Sequence, residues 1–297
     1  PEVSSLGFAV TGAITTNTVT LNGTGATQLD VNVTDDDTAT WSLTGDASVV
    51  EGTSANYTIA LAGILQTGET ASIDVSQTNN GDTADNDRGD FLAALGTIAA
   101  GRADLDLTGS TLTFAGTGSA MADIDVTITT TNDTVVENDE TFTIALANPG
   151  TTTGADIQGT ASVATTITNN DSTAVTVEDV SVSEDGTMTF TATLTNAVQN
   201  GFTVDVDFTN GTATGGTTAT GTTDFDNDTQ TLTFAGTAGE TVQFTVALND
   251  DDIIEADETF TLALSNVVTS QAPSGQIDVT DGATGTIVND DAAAVTI

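Results

Sequence analysis

Glu255-Ala-Asp-Glu-Thr-Phe-Thr-Leu-Ala-Leu264 answers Glu137-Asn-Asp-Glu-Thr-Phe-Thr-Ile-Ala-Leu146, and this pair decides how the chain is read. Each segment leaves an acidic turn and enters an alternation of apolar and polar residues, the period-two pattern of a strand with one buried face. Matches of that length within one chain are internal duplication.

The duplication extends outward. Ser110-Thr-Leu-Thr-Phe-Ala-Gly-Thr117 matches Gln230-Thr-Leu-Thr-Phe-Ala-Gly-Thr237. A boundary element occurs three times, as Val33-Thr-Asp-Asp-Asp37, Ile167-Thr-Asn-Asn-Asp171 and Ile287-Val-Asn-Asp-Asp291. The expected organisation is the tail of a preceding repeat at 1–36, a repeat at 37–170, a repeat at 171–291 and the first strand of a following repeat at 292–297. Residues 1–36 and 292–297 then mark the chain as a slice of a longer protein, and Pro1 reads as a processed or truncated start.

Alternating runs place seven strands in the second repeat: Val175/Val177, Met188 to Leu194, Phe202 to Phe208, Leu232/Phe234, Val242 to Leu248, Phe260 to Leu264 and Thr286/Val288. Thr fills most outward places, where a β-branched side chain suits the pleat. The fold class is all-β, as tandem seven-stranded immunoglobulin-like β-sandwiches. The first repeat follows the same plan with an inserted loop at about 83–102, in which Asp90-Phe-Leu-Ala-Ala-Leu-Gly-Thr-Ile98 is expected to form a turn or two of helix.

Composition narrows the chemistry. Among 297 residues, Lys and Arg total 2 and Asp and Glu 43, for a net charge of −41. Such a chain is repelled by nucleic acid and by anionic membranes. No apolar run approaches the roughly 20 residues of a membrane helix, so no span is expected. Without Cys, His or Lys, the disulfides, nitrogen and sulfur metal sites, Ser–His and Cys–His nucleophiles and Schiff bases all drop out. What remains is carboxylate chemistry: acid–base pairs, or a hard cation held by oxygen. A glycosidase would need a cleft with aromatics to grip sugar, and aromatics are 4%, mostly Phe on strand patterns. No enzymatic activity is expected.

In a sandwich whose strands alternate up and down, three connections and the end of the last strand emerge at one pole. In the second repeat these carry Glu184-Asp185, then Asp224 and Asp226, then Asp250, Asp251 and Asp252 with Glu255 and Glu258, and finally Asp290 and Asp291. An isolated acidic run is usually just a solvated face. Four brought to one pole repel, at about 0.7 kcal/mol per pair at ~6 Å even in water, and favour a counter-ion. An all-oxygen donor set fits Ca²⁺, with its 6–8 ligands and tolerant geometry, better than Mg²⁺. A few residues separate the last strand from the next repeat, so this pole is also expected to be the joint with the neighbouring repeat.

Val182-Ser-Glu-Asp-Gly-Thr187, Asp224-Phe225, Asn249-Asp-Asp-Asp-Ile-Ile-Glu-Ala-Asp-Glu-Thr-Phe260 and Ile287-Val-Asn-Asp-Asp291 together resemble the Calx-β motif of sodium/calcium exchanger regulatory domains and bacterial surface repeats. The resemblance implies a sandwich with a cluster of Ca²⁺ at one end, held by Glu184, Asp224, Asp250, Asp251, Asp252, Glu255, Glu258, Asp290 and Asp291. It carries to Glu51, Asp104, Asp133, Glu137, Glu140 and Asp171 of the first repeat. Asn132 and Thr134 stand there in place of Asp, and Asn169 and Asn170 precede Asp171, so fewer or weaker ions are expected.

Trp41 and Tyr57 fall on inward positions and are expected in the core. Arg88-Gly89-Asp90, an integrin-type tripeptide, and the Asn-x-Thr sequons are read as compositional accidents. The expected function is a Ca²⁺-stiffened segment of an extracellular bacterial stalk, adhesin or matrix fibre. A calcium-sensing module is one alternative, and a homo-oligomeric filament subunit exchanging strands between chains is another. The adhesion ligand is not legible.

Overall fold

Alternation of apolar residues with Thr builds strands through much of the described chain. The structure, a computed structural model, describes residues 37–80 and 87–293. The expected tail at 1–36, part of the insertion at 81–86 and the expected strand at 294–297 lie outside the described residues.

The first sandwich comprises β1 (Thr38–Gly45), β2 (Ser48–Val50), β3 (Ser54–Ala62), β4 (Thr70–Asn79), α1 (Phe91–Ala100), β5 (Leu105–Thr108), β6 (Thr111–Ala115), β7 (Ile124–Thr129), β8 (Glu140–Gly150), β9 (Asp156–Gln158) and β10 (Ala161–Thr168). Its sheets run β7-β3-β1-β9 and β2-β10-β8-β4-β6-β5. The second comprises β11 (Thr173–Val177), β12 (Val180–Ser183), β13 (Met188–Leu194), β14 (Phe202–Asn210), β15 (Gly215–Gly216), β16 (Phe225–Asp226), β17 (Gln230–Phe234), β18 (Thr241–Val246), β19 (Glu258–Thr269), β20 (Ile277–Asp278) and β21 (Gly282–Val288). Its main sheets run β18-β13-β11-β20 and β12-β21-β19-β14-β17. The opening strand of each sandwich splits between sheets: β1 and β11 pair antiparallel with β3 and β13, while β2 and β12 pair parallel with β10 and β21.

Each sandwich has its own core. Trp41, Tyr57, Ile59, Ile73, Phe114 and Phe142 are fully buried in the first, and Phe190, Val204, Phe225, Phe234 and Phe260 in the second. Both sheets slip register at the same place, between Ser72 and Asp74 in β4 and between Thr203 and Asp205 in β14. Beside each slip an asparagine adopts positive φ, Asn148 and Asn266, and donates to Asp74 (3.0 Å) or Asp205 (2.7 Å).

The expected inward face of the last strand was wrong by one residue. β21 buries Ala283, Gly285 and Ile287 and leaves Thr286 and Val288 half-exposed. A shift of one residue exchanges the faces of a strand. Glycine hid the true alternation: a Cβ on Gly285 would lie 2.4 Å from the Phe260 ring, so only glycine fits this inward place.

The described part of the insertion carries a ten-residue helix, longer than the turn or two expected. Asp90 caps α1, its carboxylate accepting the Ala93 N–H (3.0 Å), and Phe91, Leu95 and Ala99 face the core. Phe91 meets Tyr57 edge to face at 5.3 Å. No helix among the described residues is long and apolar enough to cross a membrane.

Candidate metal centre

In the first sandwich, short backbone bonds tie the acidic turns together. The Glu51 N–H donates to Thr168 O (3.1 Å) at the end of β10, Gly52 N–H to Thr131 O (2.9 Å), and Thr131 N–H to Asp87 O (2.6 Å). The turn after β2, the approach to α1, the β7–β8 connection and the end of β10 therefore meet at one pole. The second sandwich repeats the stitching: Glu184 N–H donates to Val288 O (3.2 Å), and Asn249 N–H to Asp224 O (2.9 Å). Glu255 N–H donates to Asn289 Oδ1 (3.0 Å), while Asn289 N–H reaches Asp257 Oδ1 (3.3 Å) as Asn169 N–H reaches Asp139 Oδ1 (3.1 Å).

This framework gathers the same three carboxylates twice. Glu51, Asp133 and Asp171 form one group and Glu184, Asp251 and Asp291 the other, with oxygens within 4.8 Å of one another in each. A second group in the second sandwich joins Asp224, Glu255 and Glu258 within the same limit. Oxygens bound to one ion at about 2.3–2.6 Å lie at most about 5.2 Å apart, so each group is spaced to share a hard cation. The glutamates are deep: Glu51 is 2% and Glu184 8% exposed.

The electrostatics point the same way. Burial, and then Asp171, Asp133 and Asp87, push the Glu51 carboxyl above its ordinary range against one lowering bond from the Asp133 N–H (2.8 Å). Burial and Asp133 raise Asp171. Burial raises Glu184, to which Asp291, Asp290 and Asp251 add, and raises Asp290 and Asp291, where neighbouring acids add again. Glu258 is pushed to about 7 by burial, then by Asp224, Glu255 and Glu184. Two aspartates beside the register slips behave oppositely. Thr111 and Asn148 hold Asp74 below its usual range, and Thr231 and Asn266 do the same for Asp205. What distinguishes the pole is a shortage of donors: Glu51 Oε2, Asp171 Oδ2 and Asp291 Oδ2 are buried and accept no hydrogen bond. Buried oxygens in that state are costly unless a cation meets them.

Not every expected residue joins these groups. Asp104 is a correction. Its carboxylate takes a two-pronged bond from Arg102 (2.7 and 3.1 Å), which holds it below its usual range, and its carbonyl accepts the Ala115 N–H. Ala115 pairs with Thr70, at the end of β4 away from the acidic pole. Asp87 takes the position instead: it is 3% exposed, it acts on Glu51, and its carbonyl accepts from Thr131 as that of Asp224 does from Asn249. The Asp-Phe pair at Asp224 recurs as Asp90-Phe91, but there the aspartate caps α1. Asp226 lies outside both groups and accepts the Asp228 N–H (3.0 Å). Asp250 and Asp252 sit at the rim, close enough to raise Asp291. Asp185, within reach of Asp290, was absent from the expected ligands although it adjoins Glu184 in the sequence. Glu137 is 3% exposed, and with Glu140 it holds the sequence positions of Glu255 and Glu258.

The pole of the first sandwich also touches the second. Val136, from the β7–β8 connection, is fully buried in the second core; its N–H donates to Ala197 O and its carbonyl accepts from Gln199, both at 2.9 Å. Asn138 N–H donates to Gln271 O (3.0 Å), and Asn169 Nδ2 to Gln276 Oε1 (2.5 Å).

Comparison with known proteins follows this geometry. The Calx-beta domain profile matches residues 66–173 and again 168–291. No curated protein matches the chain. Among solved structures, the apo form of the Calx CBD1 domain is 22% identical over 41% of this chain and 100% of its own, at a TM-score of 0.32. CBD12 from CALX1.2 is 16% identical over 82% of this chain and 99% of its own, at 0.30. The calcium binding domain CBD12 of CALX1.1 is 15% identical over 83% and 99%, at 0.27.

Proposed function

Because the chain belongs to the Calx-beta domain family, we propose that it is a calcium-binding tandem segment of an extracellular surface, stalk or matrix-fibre protein, in which Ca²⁺ stiffens the joint between repeats. The observation that carries this reading is the recurrence of one carboxylate group, Glu51/Asp133/Asp171 and Glu184/Asp251/Asp291, at matching places in two sandwiches. A solvated acidic face has no reason to bury the same glutamate twice.

Calcium is favoured over other cations by the donors. They are all oxygen, they come from several backbone segments, and their spacing tolerates irregular coordination; magnesium would keep its waters and use fewer of them. The ion's contribution is to cancel like charge. Glu51, Asp133 and Asp171 would hold one ion between them, Asp87 lying close enough to assist. The connection carrying Asp133 also carries Val136 into the next core, so fixing that connection fixes the angle between repeats.

Composition supports the extracellular setting. A net charge of −41 suits a saline medium that screens it and supplies millimolar calcium. We assign the carboxylates to ion binding and no residue to catalysis. Titration calorimetry of the chain with CaCl₂ and with MgCl₂ tests the reading. Calcium binding with fewer or weaker sites in the first sandwich is expected, and absence of calcium binding at millimolar concentration would overturn it.

A further inference from the structure

Two basic side chains occur in 297 residues, and both fasten the one α-helix among the described residues. Arg88, before α1, bonds to Asn79 of β4. Arg102, after it, bonds to Asp104 (2.7 and 3.1 Å) and to Ala122 O (2.8 Å). α1 has no acidic residue in its first turn and no basic residue in its last, and ten residues make a marginal helix on their own. It therefore stands by packing and by the bonds at its ends.

The entry to the helix is braced from two sides. Gln77 of β4 spans it with a single amide: Nε2 donates to Gly89 O (2.8 Å), and Oε1 accepts the Phe91 N–H (2.9 Å). The backbone passes so close to β7 that a Cβ on Gly89 would lie 2.8 Å from Thr129 O. Two residues upstream, Asp87 O accepts from Thr131, whose own carbonyl accepts from Gly52, the neighbour of Glu51. Asp87 is thereby set beside the acidic group of the first sandwich, and its charge reaches Glu51.

The second sandwich makes the same placement without a helix. There Asp224 N–H donates to Thr214 O (2.8 Å), Thr214 N–H donates to Asp224 Oδ2 (2.7 Å), and Phe225 is buried in the core behind them.

We propose that α1 is a latch on the first ion site: docked, it holds Asp87 beside Glu51, Asp133 and Asp171, and a cation shared by these carboxylates holds the helix down. Gln77 is the positioning residue, since its two bonds tie the helix entry to β4 and it acts on the ion only through Asp87. The inference rests on the calcium reading above. Without a cation, Asp87 faces like charge, and undocking of α1 relieves it. With one, helix docking and ion binding strengthen each other by the same factor, as linkage requires.

Hydrogen exchange of the whole chain in millimolar calcium and in excess chelator tests the latch. In chelator, the α1 amides and those of Gly101 and Arg102, which bond to Ile98 O and Ala99 O, should exchange faster than those of β4 and β8, through a local opening. Calcium should slow them by about tenfold or more and close that gap. Asp87→Asn removes the charge and keeps the carbonyl that Thr131 uses, so its α1 should be protected in both buffers. Gln77→Leu should weaken calcium binding in the first sandwich by about tenfold in titration calorimetry and leave the second, an internal reference, unchanged. Leu95→Ala, which loosens the helix from the core without touching its entry, should do the same. Exchange of α1 in step with β4 and β8 in both buffers, or wild-type calcium affinity in a folded Gln77→Leu or Leu95→Ala chain, overturns the latch while the calcium reading stands. Absence of calcium binding overturns both.

Discussion

Glu184 and Glu51 carry the clearest prediction for single residues, since each is buried among acids and has few donors. Glu184→Gln keeps the acceptor that the Asp290 N–H uses (3.2 Å) and removes the charge. It should raise the melting temperature without calcium and weaken calcium binding by about tenfold or more, by differential scanning and titration calorimetry. A merely solvated glutamate would change neither. Glu258 fixes a pH dependence. Its folded-state value of about 7 stands above its ordinary 4.5, so between those limits the folded state holds more protons than the unfolded. Ion-free stability should therefore fall as pH rises from about 4.5 through about 7, then level off, while calcium affinity strengthens over the same window; urea melts and titrations at stepped pH check both. Most individual acids were legible because they sit beside turns in a repeated frame. Asp104 misled because the insertion changes the spacing after β4, and Arg102, one of only two basic residues, captured it. Asp87 was hidden inside that insertion, where no counterpart in the second repeat gives it a register.

The connection between β7 and β8 is the element on which coupling rests, because it bears Asp133 toward the acidic group and Val136 into the neighbouring core. Val136→Ala should cost roughly 1–3 kcal/mol, and the loss should appear in the unfolding of the second sandwich although the residue belongs to the first. Urea unfolding of the variant, followed by probes in each sandwich, would show it; a loss confined to the first would break the coupling argument. Strands were readable wherever Thr alternates with large apolar residues, as in Met188 to Leu194, whose inward side chains are all fully buried. β21 was not, because Ala283 and Gly285 carry too little side chain to announce the inward face. The split of the first strand into β1 and β2, or β11 and β12, leaves no mark in a periodicity, since each half keeps its own alternation. The Val136 plug was equally silent: nothing local distinguishes a valine buried in its own core from one buried in the next.

At the scale of the whole molecule, the two sandwiches meet through the plug and through polar bonds from Asn138 and Asn169, with the first acidic group directly behind them. Ions bound at that group would oppose the mutual repulsion of the turns that hold Val136 in place, so on the proposed function calcium should act on stability and on shape together. Linkage sets the scale: an ion at a hundred times its Kd adds about 2.7 kcal/mol per site, which for repeats of this size is a shift of roughly ten degrees. The most direct measurement is a calorimetric melt of the whole chain in millimolar calcium and again in excess chelator. The account predicts higher midpoints for both sandwiches with calcium and a return to lower, separate transitions once it is removed. Identical midpoints in the two buffers would contradict it.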